Sequence, residues 1–239
     1  MNIRKWLLSI VLPPPIPLKH EVYSMSIPPG ASRSEPNERL VDLALKAAVR
    51  AKNLMIPGAE ERGMGRMNKW PGEHYRMLAA LVAELQAKTI IEIGTYQGRA
   101  SYAMRSQLPP DGRLVSFDVI PWTDVKPVLL KQEDFADGCM RQELADLRDF
   151  EVMKRYADLL RAADFILVDA AKDGVMEQLF LNNFRKLGLP KGPIVMFDDI
   201  HEWKMIKIWH ELPEPKLDIT SFAHWTGSGL VDWRKATAV

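Results

Sequence analysis

The sequence contains a single cysteine, Cys139, among its 239 residues. One thiol cannot form an intrachain disulfide framework or a zinc site that needs several cysteines. Proteins without disulfides are typical of reducing compartments, so a cytoplasmic location is expected.

An excess of charge of either sign is also missing, because 32 basic residues face 31 acidic ones and the net charge is +1. This balance leaves no broad basic surface for phosphate groups, so no nucleic-acid partner is expected. The apolar fraction of 47% and the charged fraction of 26% are those of an ordinary globular protein with room for a core.

Long apolar runs are absent as well. The apolar stretch from Trp6 to Leu12 stops at three prolines and is too short to span a bilayer. Three interpretations of residues 1–18 stay open. They could pack on the domain or on a second subunit, they could make a weak contact with a membrane surface through the basic residues that precede the apolar stretch, or they could serve secretion.

Proline and serine are frequent in residues 1–36, which we interpret as an arm or linker. Residues 37–239 form the predicted domain. Helical periodicity, with Asn37 as a capping residue, predicts that this domain begins with two lid helices over about residues 37–87.

From Lys88 onward, short apolar strands alternate with helical segments, which predicts a parallel sheet with helices on both faces. Residues 127–164 are expected to be mostly helical, with a short strand near residues 141–145. The last two strands, joined through "TGSG", are expected to form an antiparallel hairpin at the sheet edge. The predicted fold is therefore α/β, Rossmann-like and doubly wound, with a mostly parallel sheet of seven strands.

The predicted parallel strands end in acidic residues, and ligands of such sheets bind beyond the carboxyl ends of the strands. The chance that four strands all end in acid for no reason is small. These strand ends carry Glu92 and Gly94, then Asp118, then Asp169, and finally Asp198 and Asp199.

The stretch "EIGTYQGRAS" predicts a tight turn from a strand to a helix, in which Gly94 and Gly98 allow a ligand to approach the backbone. It lacks the G-x-G-x-x-G spacing of dinucleotide sites. Asp118 follows Gly98 by twenty residues, where a carboxylate can accept the hydroxyl groups of a ribose. A nucleoside ligand without a pyrophosphate fits this pattern.

Asp169 and the pair Asp198 and Asp199 end strands that should be neighbours. Three crowded carboxylates repel one another unless a cation lies between them, and hard oxygen ligands favour Mg²⁺, or Mn²⁺ or Ca²⁺, over zinc. An alternative is that one aspartate of the pair caps a helix beginning near His201. His201 itself is a candidate fourth ligand, an orienting group or an exposed residue.

Lys172 follows Asp169 by three residues. Beside a divalent cation in a partly dry site the pKa of its ammonium should fall, which would make it a base for a hydroxyl proton. The alternative is a surface lysine paired with Asp173.

These motifs resemble those of class I S-adenosylmethionine-dependent methyltransferases, in "IIEIGTYQGRAS" and "VSFD". The stretches "FILVDAAKDG" and "IVMFDDIHEW" resemble the metal-dependent O-methyltransferases, including catechol O-methyltransferase, and the C-terminal tail resembles bacterial O-methyltransferases. The resemblance implies catalytic residues, metal ligands and cofactor-binding residues. The implied catalytic residues are Lys172 and His201. The implied metal ligands are Asp169, Asp198 and Asp199. The implied cofactor-binding residues are Glu92, Gly94, Thr95, Tyr96, Gly98, Ser101, Asp118 and Asp169.

The resemblance thus implies transfer of a methyl group from S-adenosylmethionine to a hydroxyl of a small molecule or sugar, with a divalent metal. A homo-oligomer is expected. Two alternatives remain: a nucleotide-dependent oxidoreductase or hydroxylase on a similar sheet, and a non-catalytic binding module that keeps the cofactor pocket.

Overall fold

The computed structural model describes residues 34–235, apart from the side chains of residues 203 and 235. The predicted arm, residues 1–36, and its contact with a membrane surface fall almost wholly outside the described residues and stay predictions. None of the helices in residues 34–235 combines the length and the apolar character that a membrane span requires.

The described part of the chain alternates strands with helices after two initial helices. The helices are α1 (Glu38–Asn53), α2 (Tyr75–Leu85), α3 (Arg99–Arg105), α4 (Phe150–Arg155), α5 (Ala157–Arg161), α6 (Met176–Leu187) and α7 (Trp203–Glu211). The strands are β1 (Thr89–Ile93), β2 (Arg113–Asp118), β3 (Met140–Leu144), β4 (Phe165–Val168), β5 (Ile194–Asp198), β6 (Lys216–Asp218) and β7 (Ser228–Asp232).

The seven strands form one sheet in the order β3-β2-β1-β4-β5-β7-β6. The first five are parallel, and β7 is antiparallel to both β5 and β6. The predicted fold class, including the antiparallel hairpin at one edge, is confirmed. The order reverses between β1 and β4, and such a switch point opens a crevice at the carboxyl ends of the strands.

Two apolar layers cover the sheet because successive side chains of a strand point to opposite faces. Ile90 packs in the layer beneath α1, α2 and α3, whereas its neighbour Ile91 packs in the layer beneath α4 to α7. Both faces of the central strands are therefore buried, which explains why their sequences are nearly continuous apolar runs.

The predicted start of the first helix is confirmed, since the side chain of Asn37 accepts a hydrogen bond from the Leu40 amide at 3.1 Å. The prediction that residues 127–164 are mostly helical is wrong for its first part. Residues 127–139 contain one 3₁₀ turn, Gln132–Phe135, and no α-helix. Pro127 donates no backbone hydrogen bond and Gly138 has φ +73°, so the segment turns into β3 instead of extending a helix.

Asp232, at the end of β7, ties the sheet to the first helix. Its carboxylate is 1% exposed and lies 2.8 Å from Arg39 Nη1, 2.9 Å from Asn37 Nδ2 and 2.7 Å from Arg234 Nη2. Burial alone would raise the pKa of Asp232, but the hydrogen bonds from Arg234 and Asn37 outweigh it and lower the pKa to about 2.

Asp232→Ala is therefore expected to lower the free energy of unfolding by about 1–3 kcal/mol at neutral pH, measured by urea denaturation. Because the folded pKa is depressed, this stabilisation is present above the unfolded pKa of about 3.9 and is lost as pH falls toward 2. Asp42→Ala, which breaks an exposed pair with Lys46, is the control and should change stability by less than about 0.5 kcal/mol. Equal effects of the two substitutions would contradict the role given to Asp232.

Candidate active site

A cavity of about 550 Å³ opens at the carboxyl ends of β1, β2, β4 and β5. It lies at the switch point of the sheet, where the sequence predicts the ligand. The predicted site residues on its wall are Gly94, Tyr96, Asp118, Asp169, Lys172, Asp198 and Asp199.

The turn after β1 forms the floor of the cavity and depends on Gly94. This residue has φ +101°, and a Cβ atom there would lie 2.0 Å from the carbonyl oxygen of Asp169. Any side chain would therefore push the ends of β1 and β4 apart. The close approach of these two strand ends therefore requires glycine at this position.

Asp118, at the end of β2, organises the same turn. Its Oδ2 accepts the backbone N–H groups of Thr95 at 2.9 Å and Tyr96 at 3.0 Å. Its Oδ1 accepts those of Val119 at 2.7 Å and Ile120 at 3.1 Å. The carboxylate thus joins the β1 turn to the loop after β2, and its edge borders the cavity.

The remaining residues predicted to bind the cofactor make contacts within the protein around this turn. The Ser101 hydroxyl donates to the carboxylate of Glu92, and Thr95 Oγ1 lies 2.6 Å from Ser116 Oγ. Glu92 is fully buried, and burial raises its pKa to about 8. Glu92, Thr95, Gly98 and Ser101 do not line the cavity, so the structure gives them contacts within the turn, and their cofactor role stays a prediction.

Backbone strain is concentrated at this site. Four non-glycine residues in the described part of the chain have positive φ, and three of them line the cavity. These are Tyr96 (φ 44°), Lys172 (φ 55°) and Asp199 (φ 56°), each in the segment that follows a parallel strand. Such conformations cost free energy and persist at sites that need a particular side-chain direction.

The parallel pairing of β4 with β5 brings the three predicted metal ligands together. Oxygen atoms of Asp169, Asp198 and Asp199 lie within 4.8 Å of one another. Neither Asp198 nor Asp199 caps α7 with its side chain, because the cap residue is Glu202 and it has no side-chain cap bond. The alternative of a capping aspartate is therefore wrong.

Lys172 lies inside this acidic cluster. Its Nζ is 2.6 Å from Asp169 Oδ1 and 3.0 Å from Asp199 Oδ2. Asp173 instead accepts the N–H groups of Val175 and Met176 at the start of α6, both at 2.8 Å, so the alternative pairing of Lys172 with Asp173 is wrong.

The charged groups of the cluster shift one another's pKa values. Burial lowers the pKa of Lys172, but the carboxylates of Asp169 and Asp199 outweigh burial and raise the pKa above its ordinary range. Burial and the neighbouring Asp198 raise the pKa of Asp169. The expectation of a lowered lysine pKa requires a cation next to these carboxylates. With the carboxylates alone as neighbours, Lys172 is a charged ammonium.

Two histidines that the sequence analysis did not identify as ligands complete the cluster. His74 Nδ1 lies 3.0 Å from Asp198 Oδ1, and His224 Nδ1 lies 3.3 Å from the same oxygen. Burial lowers the pKa of His224, but Asp198 and Asp199 outweigh it and raise the pKa to about 10. For Asp198 the histidines have the converse effect and hold its pKa far below its usual range, although burial opposes them.

The antiparallel pairing of β7 with β5 explains how His224 reaches the site. Asp198 at the end of β5 is opposite Ser228 at the start of β7, so the loop before β7 lies over the strand ends. The predicted hairpin would have indicated this histidine only if the sequence had also shown that β7 is the strand that pairs with β5.

His201, unlike Lys172, does not line the cavity. Its Nε2 is 2.8 Å from Asp218 Oδ2 at the edge strand β6. The turn before α7 directs it to the sheet edge, and His224 takes the position beside the aspartate pair. Its catalytic role stays a prediction without geometric support.

Comparisons with known proteins bear on the same region. Residues 58–210 match the model of a family described as O-methyltransferase. A search of curated protein sequences finds no significant match.

Solved structures with a similar fold include a Staphylococcus aureus protein provisionally described as a caffeoyl-CoA O-methyltransferase. It is 18% identical, with a TM-score of 0.53 over 81% of this chain and 97% of that one. A methyltransferase from Geobacter sulfurreducens is 13% identical, with a TM-score of 0.50 over 79% and 89% of the two chains. An SAH-bound Podospora anserina methyltransferase is 16% identical, with a TM-score of 0.49 over 80% and 88%. At these identities the likeness concerns the fold alone.

Proposed function

We propose, from the premise that this chain belongs to the O-methyltransferase family, that it methylates a hydroxyl of a small molecule or sugar with the help of a divalent metal ion. As a member of that family it is an S-adenosylmethionine-dependent O-methyltransferase. The observation that carries the metal-assisted form is the meeting of Asp169, Lys172, Asp198 and Asp199 in one cavity.

The cofactor fits beside Asp118. Apolar side chains of Val119, Ile120 and Leu147 line the cavity next to this carboxylate and offer a slot for an adenine ring. Ribose hydroxyls would share the Asp118 oxygens with the backbone N–H groups that already bind them. Gly94 leaves the floor free of a side chain, so that the methionine part can pass close to the backbone toward Asp169.

The donor set of the acidic cluster fits a divalent cation. Three carboxylates with oxygen atoms within 4.8 Å of one another supply the hard oxygen ligands that such a cation prefers. A divalent cation held by Asp169, Asp198 and Asp199 would lower the pKa of an acceptor hydroxyl and weaken the hold of these carboxylates on Lys172.

The protein's own residues then perform three tasks. Asp118 would hold the ribose of S-adenosylmethionine, which would supply an electrophilic methyl group whose bond to sulfur breaks with its electrons on sulfur. Lys172 Nζ would accept the proton of the acceptor hydroxyl, whose oxygen then bonds to the methyl carbon. The apolar part of the wall, including Met176 and Phe180, keeps water from the reacting atoms.

The cofactor part of the proposal predicts the behaviour of Asp118→Ala. Loss of hydrogen bonds to a charged group should weaken binding of S-adenosylhomocysteine by about 1.5–3 kcal/mol, or roughly 10–150-fold, measured by isothermal titration calorimetry. Asp111→Ala, at the opposite end of β2 in an exposed pair with Lys88, should bind as the parent does. Unchanged affinity in a folded Asp118→Ala protein would remove Asp118 from the cofactor site.

A further inference from the structure

Two imidazoles converge on one oxygen of Asp198 from separate parts of the chain. His74 Nδ1 and His224 Nδ1 lie 3.0 Å and 3.3 Å from Asp198 Oδ1, and His224 Nδ1 lies 3.4 Å from Asp199 Oδ1. Ligands bound about 2.1 Å from an ion are separated by about 3.0 Å at a right angle and about 3.4 Å at the tetrahedral angle. The observed separations are those of neighbouring ligands in one coordination shell.

Hydrogen bonding alone accounts poorly for the surroundings of His224. Its Nδ1 faces three oxygens, because Thr226 Oγ1 lies 2.8 Å away in addition to the two carboxylates. The Thr226 hydroxyl donates its own proton to Asp199. A single N–H group cannot satisfy three acceptors, whereas a cation bound between the nitrogen and the carboxylates would.

His74 faces Asp198 with Nδ1 and leaves its other ring nitrogen, Nε2, without a hydrogen-bond partner among the described residues. The side chain is buried and borders the cavity. A metal-binding histidine uses one ring nitrogen for the ion and the other for a separate partner, so an ion at Nδ1 leaves Nε2 to a water or a ligand in the cavity.

The backbone fixes both histidines in place. Gly72 and His224 form a parallel bridge, in which Gly72 N–H donates to Ala223 O at 3.0 Å. Trp70 Nε1 also donates to Phe222 O at 2.9 Å. The segments that carry the two imidazoles are thus bound to each other directly, as a preorganised ligand pair requires.

We propose that His74 and His224 are metal ligands together with Asp198, and that the site therefore takes a first-row transition ion in preference to Mg²⁺ or Ca²⁺. Imidazole nitrogen suits transition ions, whereas Mg²⁺ and Ca²⁺ are bound by oxygen. This inference rests on the proposed function, in which the strand-end carboxylates bind a divalent cation.

Pulsed electron paramagnetic resonance of the full chain loaded with Mn²⁺ tests the proposal without an assay of activity. The bound Mn²⁺ signal is expected to show modulation from imidazole ¹⁴N, and the modulation should change to that of ¹⁵N when the protein is grown with ¹⁵N-histidine. Because this comparison needs no substitution, it does not depend on the folding of a variant.

Single variants then show which histidines supply the nitrogen bound to Mn²⁺. His224→Gln is expected to remove part of the modulation and weaken Mn²⁺ binding at least about 10-fold in calorimetry, and His74→Gln should do the same. Mg²⁺ binding should change much less. His201→Gln, which removes a histidine outside the cavity, is the control and should leave the Mn²⁺ signal as it is.

The outcomes separate this proposal from the one on which it rests. Bound Mn²⁺ without nitrogen modulation would overturn the histidine ligands and leave an all-carboxylate site in place. Nitrogen modulation that is undiminished in either His74→Gln or His224→Gln would also overturn the assignment. Failure of the parent protein to bind either Mn²⁺ or Mg²⁺ would reject the metal-assisted function itself.

Discussion

Lys172→Met is expected to lower the turnover rate by roughly 10²–10⁴-fold, the usual contribution of a positioned base, while binding of S-adenosylmethionine persists. The lysine ammonium lies between Asp169 and Asp199 and borders the cavity. Metal affinity should rise in this variant, because an ammonium no longer competes for the two carboxylates.

Lys172→Arg separates proton transfer from charge. A guanidinium stays protonated at any working pH, so this variant should be as inactive as Lys172→Met. Lys154→Met, at an exposed lysine paired with Glu151, is the control and should keep the parent rate. Turnover of Lys172→Arg near the parent rate would mean that Lys172 acts through its charge alone.

Asp198→Asn is expected to remove metal binding and lower the rate by roughly 10²–10⁴-fold, since a bound cation contributes several kcal/mol to charge stabilisation. Asp198 is the residue shared by the carboxylate cluster and the histidine cluster. Asparagine keeps the size of the side chain but removes its charge. The rate should be measured in the parent with and without chelator, and the chelated parent should resemble Asp198→Asn.

Added metal distinguishes the chelated parent from Asp198→Asn. It should restore the chelated parent and leave Asp198→Asn inactive, provided that circular dichroism and cofactor binding show the variant to be folded. Asp218→Asn, at the neighbouring sheet edge, is the matched control and should keep its activity and its metal dependence. Full activity of the parent in excess chelator would contradict the metal-assisted mechanism.

The strand ends could be predicted from the sequence because buried parallel strands are apolar runs, and the first acidic residue after each run marks where the strand ends. That reasoning located Asp118, Asp169, Asp198 and Asp199, and the structure brings all four to one cavity. It also predicted the class of fold, since the alternation of strands and helices allows few other topologies.

The histidines show where such reasoning stops. His224 reaches the site only because β7 runs antiparallel beside β5, and the strand that pairs with β5 is a long-range choice that local pattern does not encode. His201, which is near the aspartate pair in sequence, is turned to Asp218 instead. Nearness along the chain therefore indicated His201, which does not line the cavity, whereas the pairing of β7 with β5 brings His224 to it.

The ionisation of Lys172 was equally beyond the sequence. Its partners in the fold are Asp169 and Asp199, which come from two different strands, whereas the nearest acid in the chain, Asp173, is used to start α6. The direction of the pKa shift depends on these contacts and on the cation, and neither can be read from residue order.

Calorimetric titration of the parent protein with S-adenosylmethionine, followed by Mn²⁺ added to the resulting complex, tests whether one cavity binds both the cofactor and a metal ion. We expect saturable binding of the cofactor at one site per chain, and then saturable binding of the metal that Asp198→Asn abolishes. NAD⁺ should produce no heat of binding. A folded protein that binds NAD⁺ but not S-adenosylmethionine, or whose metal binding is unchanged in Asp198→Asn, would rule out the proposed cofactor and metal site.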